Sequence, residues 1–352
     1  MILSRREALT GIGASLTAAA CARGQDGDGP TPGAALAPGW TAGPALPIRV
    51  QEIYPAVLNG VMYVAGGLSP DAGDGGIGIS DRVFALEPGA RRWRARARLP
   101  APVHHPNLVG LEREVYAIGG FTAGNGGAWT MSSAVRVYNP SRDRWSRGPD
   151  LPAPYAETVC AAINDRIHVV TGRRPAGSSN SEWPHHADTN AHIVLDAASG
   201  NWTTAAPAPT ARNSAAGAVV EGRLHVIGGR TVSGGNTAVH EVYDPGGDRW
   251  ETAAPLPEPE TGPRGAGGLA AAVLNREIFV FGGEWFDSTG GGVYAQVWTY
   301  DRQADAWREV TRMPTPRHGL GAVTLDNRIW TIGGAARAGG NETRAAVEVF
   351  AP

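Results

Sequence analysis

The sequence predicts an all-β chain of six repeats closed into a ring, and three observations carry that expectation. A glycine pair or its remnant follows a short β-rich run at intervals of roughly 50 to 57 residues. A tryptophan followed seven positions later by a proline occurs six times. The two ends of the chain each carry a fragment that the other lacks.

The glycine sites are Gly66-Gly67, Gly119-Gly120, Thr171-Gly172, Gly228-Gly229, Gly282-Gly283 and Gly333-Gly334. Each ends a run rich in Val, Ile and aromatics, such as Val61 to Ala65, Glu114 to Ile118, Arg223 to Ile227, Glu277 to Phe281 and Arg328 to Ile332, the composition of a strand. A further strand ends near Phe84, Tyr138, Leu195, Tyr243 or Tyr300, and a turn then leads to Trp93, Trp145, Trp202, Trp250 or Trp307. The matching prolines are Pro100, Pro152, Pro209, Pro257 and Pro314. Length variation falls between these landmarks, including an insertion from Glu258 to Gly265, because loops absorb insertions while strands keep register. The third repeat has Thr171 for a glycine and Leu195 for a tyrosine, which predicts a distorted unit there. Trp40 precedes Pro47 at the common interval with no strands before it, while the last repeat has Gly333-Gly334 and the strand Val347 to Phe350 but no tryptophan. The segment at Trp40 therefore completes the last repeat and pairs an edge that would otherwise stay open.

This pattern resembles the Kelch repeat, in which a glycine pair, a Tyr and a Trp mark one four-stranded blade. The resemblance implies a six-bladed Kelch-type β-propeller over residues 39–352, its ring closed by the N-terminal strand joining the last blade. Tyr and Trp then fill the wedges between blades.

The remaining features concern the chain's start and its charge. Ser4-Arg5-Arg6-Glu7 followed by an uncharged stretch to Ala20 resembles a twin-arginine signal over residues 1–20. The small residues before Cys21 resemble a lipidation site, with cleavage after Ala20 as the alternative. Residues 21–38 read as a flexible tether, and the expected location is the periplasm, with a membrane attachment only through a lipid on Cys21. The formal net charge is −2 with no run of like charge, which argues against a nucleic-acid partner. Two cysteines, one of them Cys21, supply no disulfide framework, and Cys160 reads as a small buried hydrophobe. No cofactor and no metal are expected; His185 and His186, in the long loop from Arg173 to Asn190, have no metal-ligand spacing.

In an up-and-down blade, the segment leading into the innermost strand and the residues after the glycine site share one face. The lead-in segments carry Gln51 and Glu52, His104 and His105, Ala156 and Glu157, Arg212 and Asn213, and Arg317 and His318, with Arg264 in the fifth repeat's insertion. Leu68, Phe121, Arg173, Arg230, Glu284 and Ala335 follow the glycines. A mixed funnel results, in which Arg212, Arg230, Arg173, Arg264, Arg317, His104, His318 and Asn213 are candidate ligand-binding residues. Arg forks suit carboxylates, so the expected ligand is a small polar molecule, acidic or carbohydrate, with an envelope protein partner as the other use of the face. Glu52, Glu157, His105 and Glu284 are the candidates for proton transfer.

The stretch from Gly265 to Gly283 is similar to the fifth blade of the periplasmic N-acetylneuraminate epimerase group, which implies a sugar mutarotase as the alternative function, an isomerase if an enzyme. The glutamate that group places after its fourth glycine site falls here on Arg230, and its following arginine falls near Asn236, so its catalytic pattern is not reproduced. With Cys160 the one cysteine of the repeats, the copper-radical chemistry of other Kelch propellers is not expected.

Overall fold

The computed structural model describes residues 37–73, 75–124, 129–288 and 290–352. Arg5, Arg6, Cys21 and nearly all of the expected tether lie outside them.

Six four-stranded antiparallel sheets follow one another along the chain. Blade 1 is Ala56–Leu58, Val61–Ala65, Val83–Leu86 and Arg94–Arg96; blade 2 is Asn107–Leu111, Glu114–Ile118, Val135–Asn139 and Arg144–Arg147. Blade 3 is Val159–Ile163, Arg166–Val170, His192–Asp196 and Asn201–Thr204, and blade 4 is Ala216–Val220, Arg223–Ile227, His240–Asp244 and Arg249–Ala253. Blade 5 is Ala270–Leu274, Glu277–Phe281, Gln296–Asp301 and Ala306–Arg312. Blade 6 joins Gly321–Leu325, Arg328–Ile332 and Val347–Phe350 to the first strand of the chain, Trp40–Ala42, with Trp40 opposite Phe350. This is the closure expected from the two ends.

The glycine pair is a joint between blades. Both residues take left-handed backbone, and a Cβ on Gly282 would lie 2.0 Å from the Arg317 carbonyl oxygen of the next blade. Only glycine permits that approach. Thr171 adopts the same conformation at φ 56°, and blade 3 keeps an unbroken register. The expected distortion is therefore absent: strain is confined to one residue and the ladder does not feel it. The register shift among the blade ladders falls in blade 5, between Val297 and Trp298.

Each tryptophan spans a wedge. Trp93, Trp145, Trp202, Trp250 and Trp307 donate their indole N–H to the carbonyls of Pro44, Ala97, Pro149, Ala206 and Ala254, each four residues past the preceding blade's tryptophan. Trp40, at the seam, is buried with no such bond. In three blades a tyrosine hydroxyl donates to an aspartate five residues on: Tyr138 to Asp143, Tyr243 to Asp248 and Tyr300 to Asp305. The same carboxylates accept the backbone N–H of Ala97, Ala206 and Ala254 in the preceding blade. The ladder puts Leu86, and not Phe84, at the tyrosine position of blade 1, since Leu86 pairs with Met62 as Tyr138 pairs with Val115.

Candidate functional site

The strand connections sort the molecule into two faces. Tight turns between first and second strands and between third and fourth strands lie on one face; the lead-in segments and the longer connections after the glycines lie on the other. Bridges pair Gln51 with Leu68, His104 with Phe121, Ala156 with Arg173, Asn213 with Arg230, Gly267 with Glu284 and His318 with Ala335. The next residue in each lead-in, Glu52, His105, Glu157, Ser214, Gly268 or Gly319, has φ between 51° and 66°. At five of these six positions the backbone N–H donates to the carbonyl of the equivalent residue in the blade before, as His105 does to Glu52 at 3.0 Å and Gly319 to Gly268 at 2.8 Å. A hydrogen-bonded belt thus circles the axis and fixes where the side chains project.

Six side chains, one per blade, form a closed ring in which acidic and basic groups alternate inside that belt. Glu52 meets His105 at 2.8 Å, His105 meets Glu157 at 3.6 Å, and Glu157 meets Arg230 at 3.2 Å. Arg230 continues to Glu284, Glu284 to His318 at 3.5 Å, and His318 returns to Glu52 at 3.6 Å. Arg173 adds a second cation against Glu157 and donates to Asn213 Oδ1 at 3.2 Å. No member of the ring is more than 9% exposed; Arg230 and Glu52 are the most accessible, and the Arg230 Nε makes no hydrogen bond. His104 lies behind His105, its Nδ1 2.7 Å from that of His105 and its ring stacked on Phe121.

Burial alone would raise the Glu157 carboxyl, but Arg173, Arg230 and His105 outweigh it and hold the group at about 2. Glu52 is likewise held well below the usual carboxylate range by His105, His318 and Arg230 against its burial. Burial, with His105 beside it, pushes His104 far below the usual imidazole range and keeps it neutral. Glu52 and Glu157 are therefore fixed anions at neutral pH. Beneath the ring the innermost strands enclose an axial cavity of about 100 Å³, lined by Tyr54, Asn107, Thr158 and Cys160 among apolar residues such as Leu108, Leu269 and Leu320. Cys160, expected as a buried hydrophobe, is half-buried on this cavity, and burial raises its thiol to about 12.

Of the residues expected in the funnel, Glu52, His105, Glu157, Arg230, Glu284 and His318 form the ring, and Arg173, Asn213 and His104 touch it or one another. Three arginines do not reach it. Arg212 and Arg317 are fully buried within their own blades, where Arg212 binds Glu241 and the carbonyls of Thr210, Val226 and Gly228. Arg317 binds Glu348, Thr331 and the Ala346 carbonyl. Both stand one position ahead of the bridging residue, so their side chains turn away from the axis. Arg264 is half-exposed and donates to the Leu256 carbonyl, while Gly267 and Gly268 form the fifth lead-in. The long third-blade loop folds into a hairpin pairing Arg173–Pro175 with His186–Asp188; Trp183 lies 4.0 Å from the Arg173 guanidinium, and His186 stacks on Phe121.

Comparison with known proteins agrees with this fold. Residues 102–152 match the Kelch motif, and residues 176–345 match the KLHDC2/KLHL20/DRC7 Kelch-repeats domain. The Kelch-like protein terF of Aspergillus terreus is 25% identical over 304 residues, covering 86% of this chain and 64% of that protein. Beta-scruin of Limulus polyphemus is 24% identical over 271 residues, 77% of this chain and 28% of its own. Kelch-like protein 35 of Mus musculus is 32% identical over 142 residues, 40% of this chain and 22% of its own. The chain thus spans less than two thirds of the length of these relatives. Among solved structures, that titled "Structure of YjhT" superposes with a TM-score of 0.73 at 18% identity, covering 87% of this chain and 96% of the other, which is a likeness of fold. By its repeats, its glycine joints and these matches, the chain belongs to the Kelch-repeat β-propeller family.

Proposed function

We propose that the chain is an exported propeller that binds a small polar ligand, acidic or carbohydrate, over the charged ring. A Kelch propeller supports ligand or protein binding in general; the ring is the observation that favours a small ligand here. Glu52, His105 and Glu157 occupy left-handed backbone at positions where blades 5 and 6 place glycine. Non-glycine residues held there cost of order 1–3 kcal/mol each, and such strain concentrates at functional sites. Arg230 and Glu52, the most accessible ring members, are the groups a ligand would meet, and a guanidinium suits a carboxylate. Isothermal titration calorimetry with sialic and uronic acids should show saturable binding that Arg230→Ala abolishes. Absence of heat with every acid, or unchanged affinity in the variant, would overturn the reading.

The second reading is a sugar mutarotase, favoured by the Glu52 carboxylate 2.8 Å from the His105 imidazole, where the fixed anion would orient the ring that moves the proton. NMR of freshly released α-sialic acid should then show faster anomerisation with the protein than without it. An unchanged rate removes this reading and leaves binding intact.

A further inference from the structure

A second cavity lies on the opposite face, between blades 3 and 4. Its volume is about 440 Å³, and its walls include Asn164, Arg166, His168, Thr203, Thr204, Tyr243 and Asp248. His168 is 5% exposed, and its Nδ1 lies 2.9 Å from His192 Nε2. The protons on this pair can be placed. His192 Nδ1 is 3.2 Å from the Ala206 carbonyl, which only accepts, so Nδ1 carries the hydrogen and Nε2 is left as an acceptor. His168 Nδ1 must then donate to it, and His168 Nε2 keeps a bare lone pair. Burial holds both imidazoles at about 4, so this neutral arrangement persists at neutral pH.

The repeat explains why this wedge is open. At the position of His168 the other blades carry Tyr63, Tyr116, His225, Phe279 and Trp330, so only blades 3 and 4 have an imidazole where the rest have a larger aromatic. Over His225 the wedge is closed, because Glu221 at the rim is held by Arg276 and Arg302, and the His225 Nε2 is buried without a partner. At the first wedge the rim residues corresponding to Glu221 and Arg302 are Asn59 and Pro140, but Tyr63 fills the floor. The wedge between blades 3 and 4 has Asn164 and Pro245 at the rim and His168 on the floor. It lacks both the lid and the filling ring.

We infer that this cleft is a binding site for a neutral, hydroxyl-bearing ring such as a monosaccharide or cyclic polyol. Acceptors at His168 Nε2 and the Asp248 carboxylate alternate with donors at Asn164, Arg166 and Thr204, which matches hydroxyls that donate and accept in turn. Ile163, Val194 and the Tyr243 ring offer apolar surface to C–H faces. Arg166 disfavours a cation, and Asp248 with Asp196, 4.0 Å from Arg166, disfavours an anion. The site is separate from the charged ring and does not depend on its use.

The test grafts the neighbouring lid onto this cleft with Asn164→Glu combined with Pro245→Arg, both at the surface. Saturation-transfer NMR at millimolar glucose, galactose and myo-inositol should show signal with the native chain and with Arg230→Ala, and loss of signal in the lid variant. His168→Phe, which places there the residue blade 5 uses, should lose the signal too, with native circular dichroism verifying the fold. No signal from any of the three probes with the native chain, or signal that survives the lid, overturns the inference. Signal lost in Arg230→Ala alone assigns the sugar to the charged ring and overturns it equally.

Discussion

Left-handed backbone recurs once per blade at the lead-in and again at the glycine joint, and the residue chosen at each place reveals what the position is for. Gly268 and Gly319 take the lead-in conformation without strain, whereas Glu52, His105 and Glu157 take it with a side chain that joins the ring. Thr171 at the joint has no such return: its hydroxyl is buried without a partner. Thr171→Gly should therefore stabilise the protein by about 1 kcal/mol, the relief of strain being partly offset by the entropy glycine adds to the unfolded chain. Urea unfolding of the two proteins measures it, and a loss of stability would mean that the Thr171 methyl packs better than its strain costs. At this scale the sequence was legible in kind but not always in register. The six ring residues were recognisable as ionisable groups in the lead-in segments or directly after the glycines. Arg212 and Arg317 were not separable from them, because the dipeptides Arg-Asn and Arg-His resemble Gln-Glu and His-His, and which of two neighbours faces the axis is settled by the turn that the preceding blade's carbonyl imposes.

Within a blade, substitutions come in coupled sets. Where blades 3 and 4 replace an aromatic by His168 or His225, the adjacent strand replaces valine by His192 or His240, so that each imidazole partners the other. Each outer imidazole then reaches the carbonyl that the next blade's tryptophan also uses. Burial lowers all four: His225 to about 3 and the other three to about 4, from an ordinary 6.5. The unfolded chain thus binds protons that the folded chain refuses, so stability should fall as pH drops from about 6.5 to about 4. Glu157 acts in the same direction lower down, its contribution fading as pH falls from its ordinary 4.5 toward about 2. Thermal melts across this range should show the upper phase first. Replacing one pair by the residues of blade 5, His225→Phe with His240→Val, should flatten it; an unaltered pH profile would show that the imidazoles are not its source. These pairs left little trace in the sequence, since four histidines scattered among strands become two pairs only when the ladder is known.

For the whole molecule, stability rests on the seam. Five tryptophans are tied across their wedges by an indole hydrogen bond, and Trp40 relies on packing alone, 5.0 Å from Phe350 and 6.1 Å from Phe281 between ring centres. Trp40→Ala should cost about 3–5 kcal/mol, as truncation of a buried aromatic does, and should open the ring between blades 5 and 6 first. Hydrogen exchange would place the earliest loss of protection in Val347–Phe350; uniform loss around the ring would contradict a weak seam. The closure itself was readable from the chain ends, because the missing tryptophan of one repeat stood alone at the other terminus.

The blade count also has an arithmetic side. Acid and base can alternate around a circle only when the number of members is even, and here each blade contributes one. A ring gaining or losing a single blade would seat two acidic or two basic groups side by side, whichever blade was copied or deleted. For this propeller, then, a change of size by one unit is barred by parity as well as by geometry, and its charged centre can be inherited intact only by rings that grow or shrink two blades at a time.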